Sequence, residues 1–308
     1  MEACASWGAA LISGISFSIA ASVLFGAIYF YSSLLSPLTG SELFGWRMLL
    51  TAPSITAFML LRGEWALVLD VFHRIRKKPN LFLVLLISSA LISLQMWVFM
   101  WAPLNGYGLD VSLGYFLLPL SMVVAGRLIY RERLSMLRKV ATLFAAIGVA
   151  NEIYQVGSFS WVTMLVALGY PAYFVIRRQW KFDHLGGLWW DMTLILPAAL
   201  WFAIGADVSL TAFAERPALY WMIPFLGLMS GMASICFILA SRLLSFSLFG
   251  LLNYLEPVLM ICVALALGES IAKTQWLTYA AIWMSVIVLL LEGIQQVRLS
   301  RTLQGVPS

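Results

Sequence analysis

Apolar runs of about 20 residues, separated by short polar or turn-forming stretches, recur along this 308-residue chain. A helix rising about 1.5 Å per residue needs about 20 residues to cross a hydrocarbon core about 30 Å thick. The runs predict ten spans: Gly8–Ser32, Ser41–Leu61, Leu81–Leu104, Asp110–Tyr130, Leu134–Ile153, Phe159–Ile176, Gly187–Gly205, Leu219–Leu243, Phe246–Leu267 and Thr274–Gln295. Asp191 and Pro197 interrupt the seventh. The expected fold class is an all-α membrane protein of ten transmembrane helices. The longest polar connection, residues 62–80, is too short to fold alone.

Composition supports that pattern. Apolar residues make up 62% of the chain and charged residues 11%, against about 45–50% and about 25% in soluble domains. A water-soluble fold of this size could not bury so much apolar surface. Residues 1–7 lack a basic n-region and the first run is long enough to span, so no cleavable signal peptide is expected.

The charges are distributed asymmetrically. Of the nineteen Lys and Arg residues, sixteen fall in the even-numbered connections and the C-terminal tail. Arg62, Arg74, Arg76, Lys77 and Lys78 lie in the second connection, and Arg127, Arg131, Arg133, Arg138 and Lys139 around the fourth. Arg177, Arg178 and Lys181 mark the sixth, Arg242 the eighth, and Arg298 and Arg301 the tail. The odd connections hold Arg216 and Lys273, while Arg47 lies inside a span. The positive-inside rule then predicts two cytoplasmic termini. Anchoring at the cytoplasmic face accounts for the net charge of +5 without a nucleic-acid partner.

The two halves of the chain are alike. FLLPLSMVVAGRLIYRE (116–132) matches YLEPVLMICVALALGE (254–269), pairing Pro119 with Pro257, Met122 with Met260 and Glu132 with Glu269 after one gap. An offset near half the chain gives repeats of five spans each, residues 1–153 and 154–308. An odd number of spans inverts the second half. Inverted repeats are a plan of secondary transporters, with a substrate site at the repeat interface near the bilayer midplane.

These residues carry a resemblance. LEPV (255–258) closing on GE (268–269), within ten spans in two halves, resembles the EamA-type drug/metabolite transporter superfamily. FGWR (44–47), Asn105–Gly106, SLGYFLLPL (112–120) and GYPAYFVIRR (169–178) are similar to its RarD branch, named for chloramphenicol sensitivity. The ninth span departs from that branch's Y-I-x-P-T pattern, reading NYLEPV. The resemblance implies a carrier of the bacterial inner membrane, an exporter by type, in a superfamily that moves amino acids, amines, nucleotides and other small metabolites.

Ionisable groups within spans cost about 2.5–3.5 kcal/mol on insertion scales and point to function by default. Glu256 lies about 16 Å into its span, near the midplane. Asn253 precedes it at i−3, and Pro257 follows, loosening the helix and freeing carbonyls to line a cavity. Glu256 reads either as a substrate or proton-coupling site or as a polar clamp between helices. Arg47, about 9 Å inside the second span, reads as a hook for a carboxylate or as a structural tie. Gln95 and Trp101 share a face of the third span. Tyr115, Tyr170, Tyr173 and Tyr254 offer hydroxyls and ring faces to a cation, though packing accounts for most single aromatics. Asp110 and Glu152 fall near helix ends, where solvation is expected, and Asp191 reads as a cytoplasmic gate or a snorkelled end group. Small residues at Gly14, Ser18, Ser22, Gly26, Gly227 and Gly231 mark close helix approaches.

Several classes are excluded. The chain has no P-loop, HExxH or GxSxG. His73 and His184 lie in connections, and Cys4, Cys236 and Cys262 lack metal or disulfide spacing. No cofactor, metal or enzymatic activity is expected. The expected function is alternating-access transport of small polar or zwitterionic metabolites: amino acids, opine- or metallophore-type derivatives, or small drugs. The alternatives are a passive facilitator or channel of the same fold and, after it, an intramembrane enzyme. Expected partners are a small-molecule substrate, the lipid bilayer and, as a further option, a second copy in a homodimer.

Overall fold

Local capping chemistry sets several helix starts. Thr39 and Glu42 form a capping box: Glu42 N–H donates to Thr39 Oγ1 (3.3 Å) and Thr39 N–H to Glu42 Oε2 (2.7 Å). Ser135 and Ser160 take the amides of Arg138 and Thr163 at two further starts. The computed structural model describes residues 2–157, 160–204, 212–259 and 273–304. Its helices are α1 (Glu2–Ser33), α2 (Gly40–Leu61), α3 (Ala66–Lys77), α4 (Asn80–Trp101), α5 (Gly108–Leu128), α6 (Met136–Val156), α7 (Trp161–Gln179), α8 (Leu185–Ile204), α9 (Leu219–Leu243), α10 (Phe246–Leu252) and α11 (Trp276–Gln304). No strand occurs among the described residues.

Seven of these, α1, α2, α4, α5, α8, α9 and α11, are long and apolar enough to cross a membrane. The chain is an all-helical, multi-pass membrane protein. Helices α6 and α7 stand where the fifth and sixth spans are expected, but Arg138, Lys139 and Glu152 in one and Arg177 and Arg178 in the other reduce their apolarity. The expected span Phe246–Leu267 is not one continuous helix. It breaks at Asn253–Tyr254 and resumes as far as Leu259; residues 260–267 lie outside the described residues. Pro257 supplies the reason. It has no N–H to give the Asn253 carbonyl, which takes Glu256 N–H instead (3.3 Å) in a tightened i−3 turn.

Two boundaries differ from the apolar pattern. The connection 62–80 contains α3, whose Val68 and Val71 are buried while Arg74, Arg76 and Lys77 fill its last turn. Twelve residues with one apolar stripe form a helix that lies against others rather than crossing. The third span stops at Trp101, not Leu104, and passes through a 3₁₀ turn (Ala102–Asn105) into Gly106 at φ +82°. Pro103 cannot continue the α-helical bonding, and only glycine takes that φ readily.

Glycines set the tightest helix pairs. A Cβ on Gly227 would strike Leu50, and one on Gly231 would lie 2.8 Å from Ser54 Cβ, so both face α2. Gly14 of α1 meets Leu243 and Leu244 at the end of α9. A Cβ on Gly148 of α6 would lie 2.9 Å from the Thr278 carbonyl oxygen of α11, and one on Gly250 of α10 would strike Met122 of α5. Dispersion contacts, which need close approach, replace the hydrophobic drive that lipid does not supply.

Candidate functional site

Helices α1, α2, α4, α5, α7, α8 and α9, with the broken segment after α10, surround a buried cavity. Arg47, Tyr115, Tyr170, Asn253 and Glu256 all line it. The volume open to water is about 50 Å³, room for roughly three to five water molecules. Phe25, Met96, Phe99 and Phe237 supply apolar walls.

Arg47 is 2% exposed. Its Nε donates to Ser230 Oγ at 2.8 Å. The close packing of α9 on α2, permitted by Gly227 and Gly231, brings that hydroxyl within reach. Among the described residues no protein group engages its Nη atoms, so one edge of the fork is held and the other is left for a ligand. Glu256 lies deep among protein atoms yet retains accessible surface, because it faces the cavity. It is placed by the Asn253–Tyr254 break, which turns the polar side of the segment inward. Arg47 and Glu256 are within electrostatic reach of each other and form no direct ion pair. Tyr115 and Tyr170 lie between the same walls, ring centroids 6.3 Å apart. Two opposite charges that are buried and not joined are expensive unless a ligand, water or proton answers them.

Three other expected site residues do not line the cavity. Gln95 donates to the Leu165 carbonyl (2.6 Å) and fills the gap over Gly169, tying α4 to α7. Trp101 stacks on Trp97 (4.9 Å between ring centroids) and on Tyr107 (5.6 Å), beside Trp161. Tyr254 is fully buried and donates to the Phe116 carbonyl at 2.9 Å, tying the helix break to α5.

A buried polar network completes one end of the cavity. Tyr173 lines it and donates to Asp191 Oδ2 (3.0 Å). Asp191 also accepts from Ser88 Oγ (3.1 Å) and pairs with Arg177, and both members of that pair are 0% exposed. Arg177 donates onward to the Phe182 and His184 carbonyls. Asp191 is therefore a buried counter-ion rather than a snorkelled group, and Arg177 is not a solvated anchor. Tyr173 and Arg177 stand at i and i+4 on α7, a spacing visible in the sequence, but their partner on α8 is a tertiary fact. His184, in the α7–α8 connection, is held down to about 4 by burial and by Arg177 and Arg242, so it is neutral near pH 7. Glu152, expected at a solvated end, is instead 2% exposed. Glu42 serves the capping box and so does not partner Arg47.

No family model matches the chain. Chloramphenicol-sensitive protein RarD of Pseudomonas aeruginosa is 40% identical over 94% of this chain and 96% of its own length. The chain belongs to the RarD family of transporters. An uncharacterized transporter of Pasteurella multocida is 40% identical over 94% of this chain and 99% of its length. Protein RarD of Escherichia coli, at 24% identity, aligns over 91% and 95%. One crystal structure shares the fold with a TM-score of 0.67 at 17% identity, covering 92% of this chain and 99% of that one. The chain's relatives are named transporters, which is consistent with a transporter rather than an enzyme.

Proposed function

We propose that this RarD-family chain is a secondary carrier that exports small polar or zwitterionic metabolites by alternating access, with Arg47 holding a carboxylate and Glu256 answering an amine or a proton. One observation carries the reading: a guanidinium and a carboxylate face one buried cavity without pairing with each other. A zwitterion neutralises both charges at once. With no amine present, a proton on Glu256 does so, which lets the empty site cross the low-dielectric occluded state. Amino acids, opine- or metallophore-type derivatives and small drugs meet this requirement, and the name of the P. aeruginosa relative adds chloramphenicol-like compounds to those worth assaying.

The same proposal includes ten spans in two inverted five-helix repeats, 1–153 and 154–308. The packing partners support it. Under the five-span offset, α1 on α9 corresponds to α7 on α4, and α2 on α9 to α8 on α4, and all four pairs pack together. The pairs α2–α8, α5–α10 and α6–α11, each its own equivalent, also pack. The inner membrane with both termini cytoplasmic completes the proposal, supported by the basic connections.

Proteoliposome counterflow tests carrier against facilitator. Substrate preloaded on the far side is expected to accelerate tracer entry, whereas flux indifferent to trans substrate would establish a facilitator. In inverted vesicles with an imposed pH gradient, Glu256→Gln is expected to abolish the pH response or the flux of amine-bearing substrates. Equal rates and equal pH response would reduce Glu256 to a helix clamp.

A further inference from the structure

A second cavity, of about 660 Å³, lies where the end of α5 meets the start of α6. Its rim carries Arg127, Arg133 and Lys139, and its remaining lining residues are aliphatic, among them Val124 and Leu128. No carboxylate lines it. The acidic residue nearest in sequence, Glu132, is turned away: its two carboxylate oxygens accept the Phe246 and Ser247 amides at the start of α10 (2.6 and 2.9 Å). Three other cations of the basic connections have internal duties. Arg138 pairs with Glu292 (3.0 Å), Arg178 donates to the Ser241 and Leu244 carbonyls, and Arg74 to those of Trp180 and Lys181. Arg127 donates one bond, to the Glu132 carbonyl (3.1 Å). Among the described residues, Arg127, Arg133 and Lys139 have no ion-pair partner.

The aliphatic side of this cavity opens onto the outer surface of the bundle. Val124 is 54% exposed and Leu128 72% exposed, and in a membrane-spanning helix such residues face acyl chains. Cations thus sit directly beyond the end of a lipid-facing apolar strip. A soluble anion would use the first feature and leave the second bare. A nucleotide would find no aromatic side chain to stack on.

We infer that this cavity is a binding site for an anionic phospholipid, its phosphate held by Arg127, Arg133 and Lys139 and its acyl chain laid along Val124 and Leu128. Basic pockets between membrane helices recognise anionic headgroups in this way. The site is separate from the central cavity and does not depend on which solute is carried.

The test uses purified full-length protein in detergent. Native mass spectrometry counts retained phosphatidylglycerol against phosphatidylcholine, and thermal unfolding is followed with each lipid and with inorganic phosphate. Wild type is expected to retain phosphatidylglycerol selectively and to unfold at higher temperature with it. The variant R127Q/R133Q/K139Q is expected to bind it roughly a hundredfold more weakly, at about fivefold per cation. R76Q/K77Q/K78Q removes as many charges from the neighbouring connection and is expected to behave as wild type. Equal losses in the two triple variants would mean general electrostatic attraction and overturn the site. So would equal retention of the two lipids, or a thermal shift reproduced by inorganic phosphate alone. Arg133 and Lys139 are exposed, so R133Q and K139Q keep the test open if the triple variant does not fold. Each is expected to lower phosphatidylglycerol retention about fivefold, and unchanged retention in both would overturn the inference.

Discussion

Arg47 shows how one side chain can be both structural and available. Its Nε is fixed by Ser230 at 2.8 Å, which orients the guanidinium plane and leaves the Nη edge toward the cavity. Lysine keeps the charge but is a point donor on a flexible stem and cannot make that division. Arg47→Lys is therefore expected to raise the KM for carboxylate substrates by roughly 10- to 100-fold, the loss of one charge-assisted bond at about 1.5–3 kcal/mol. Expression and unfolding temperature should stay near wild type. Concentration-dependent uptake into proteoliposomes measures it; an unchanged KM would make Arg47 a tie between α2 and α9.

At the scale of elements, the buried Arg177–Asp191 pair joins α7 to α8 and, through Ser88, to α4. Its Tyr173 partner forms part of the cavity wall. Removing one member leaves an uncompensated buried charge, at a cost of about 3–5 kcal/mol, whereas replacing both with apolar groups of similar size can be nearly neutral. Arg177→Met and Asp191→Leu singly are expected to lower thermal stability sharply, and the double variant to recover much of the loss. A double-mutant cycle in detergent should give a coupling above about 1 kcal/mol. Additive losses would show that the groups are solvated independently. Glycine contacts act at this scale too, since the approach of α9 to α2 at Gly227 and Gly231 brings Ser230 to Arg47.

For the whole molecule, the decisive feature is the gathering of Lys and Arg in the even-numbered connections and the tail. Arg74 and Arg178 give it local meaning, because both donate to carbonyls around helix C-termini, where cations also complement the helix dipole. With native cysteines removed, a cysteine replacing Lys77 is expected to resist a membrane-impermeant maleimide in intact cells and to react in inverted vesicles. The opposite labelling would reverse the proposed orientation.

Apolar run length alone determined that this chain lives in a membrane, and it placed most helices to within a few residues, because a span of fixed thickness demands a fixed length of helix. Local chemistry determined the weakness of the helix before Pro257, since proline acts over one turn. Arg47, Tyr115, Tyr170, Asn253 and Glu256 were legible as candidates because polar groups in apolar runs stand out. Their meeting in one cavity was decided by the tertiary structure alone: they come from α2, α5, α7 and the break after α10, which share no sequence period. The same holds for the residues read differently. Gln95 and Tyr254 have the chemistry of a binding site, but their amide and hydroxyl groups are taken by the Leu165 and Phe116 carbonyls, respectively, of neighbouring helices. Arg177 looks like an anchor until Asp191 arrives beside it, and α3 looks like a polar connection until Val68 and Val71 meet a wall. A sequence states what each side chain can do; which partner satisfies it depends on helices brought together by packing across the bundle.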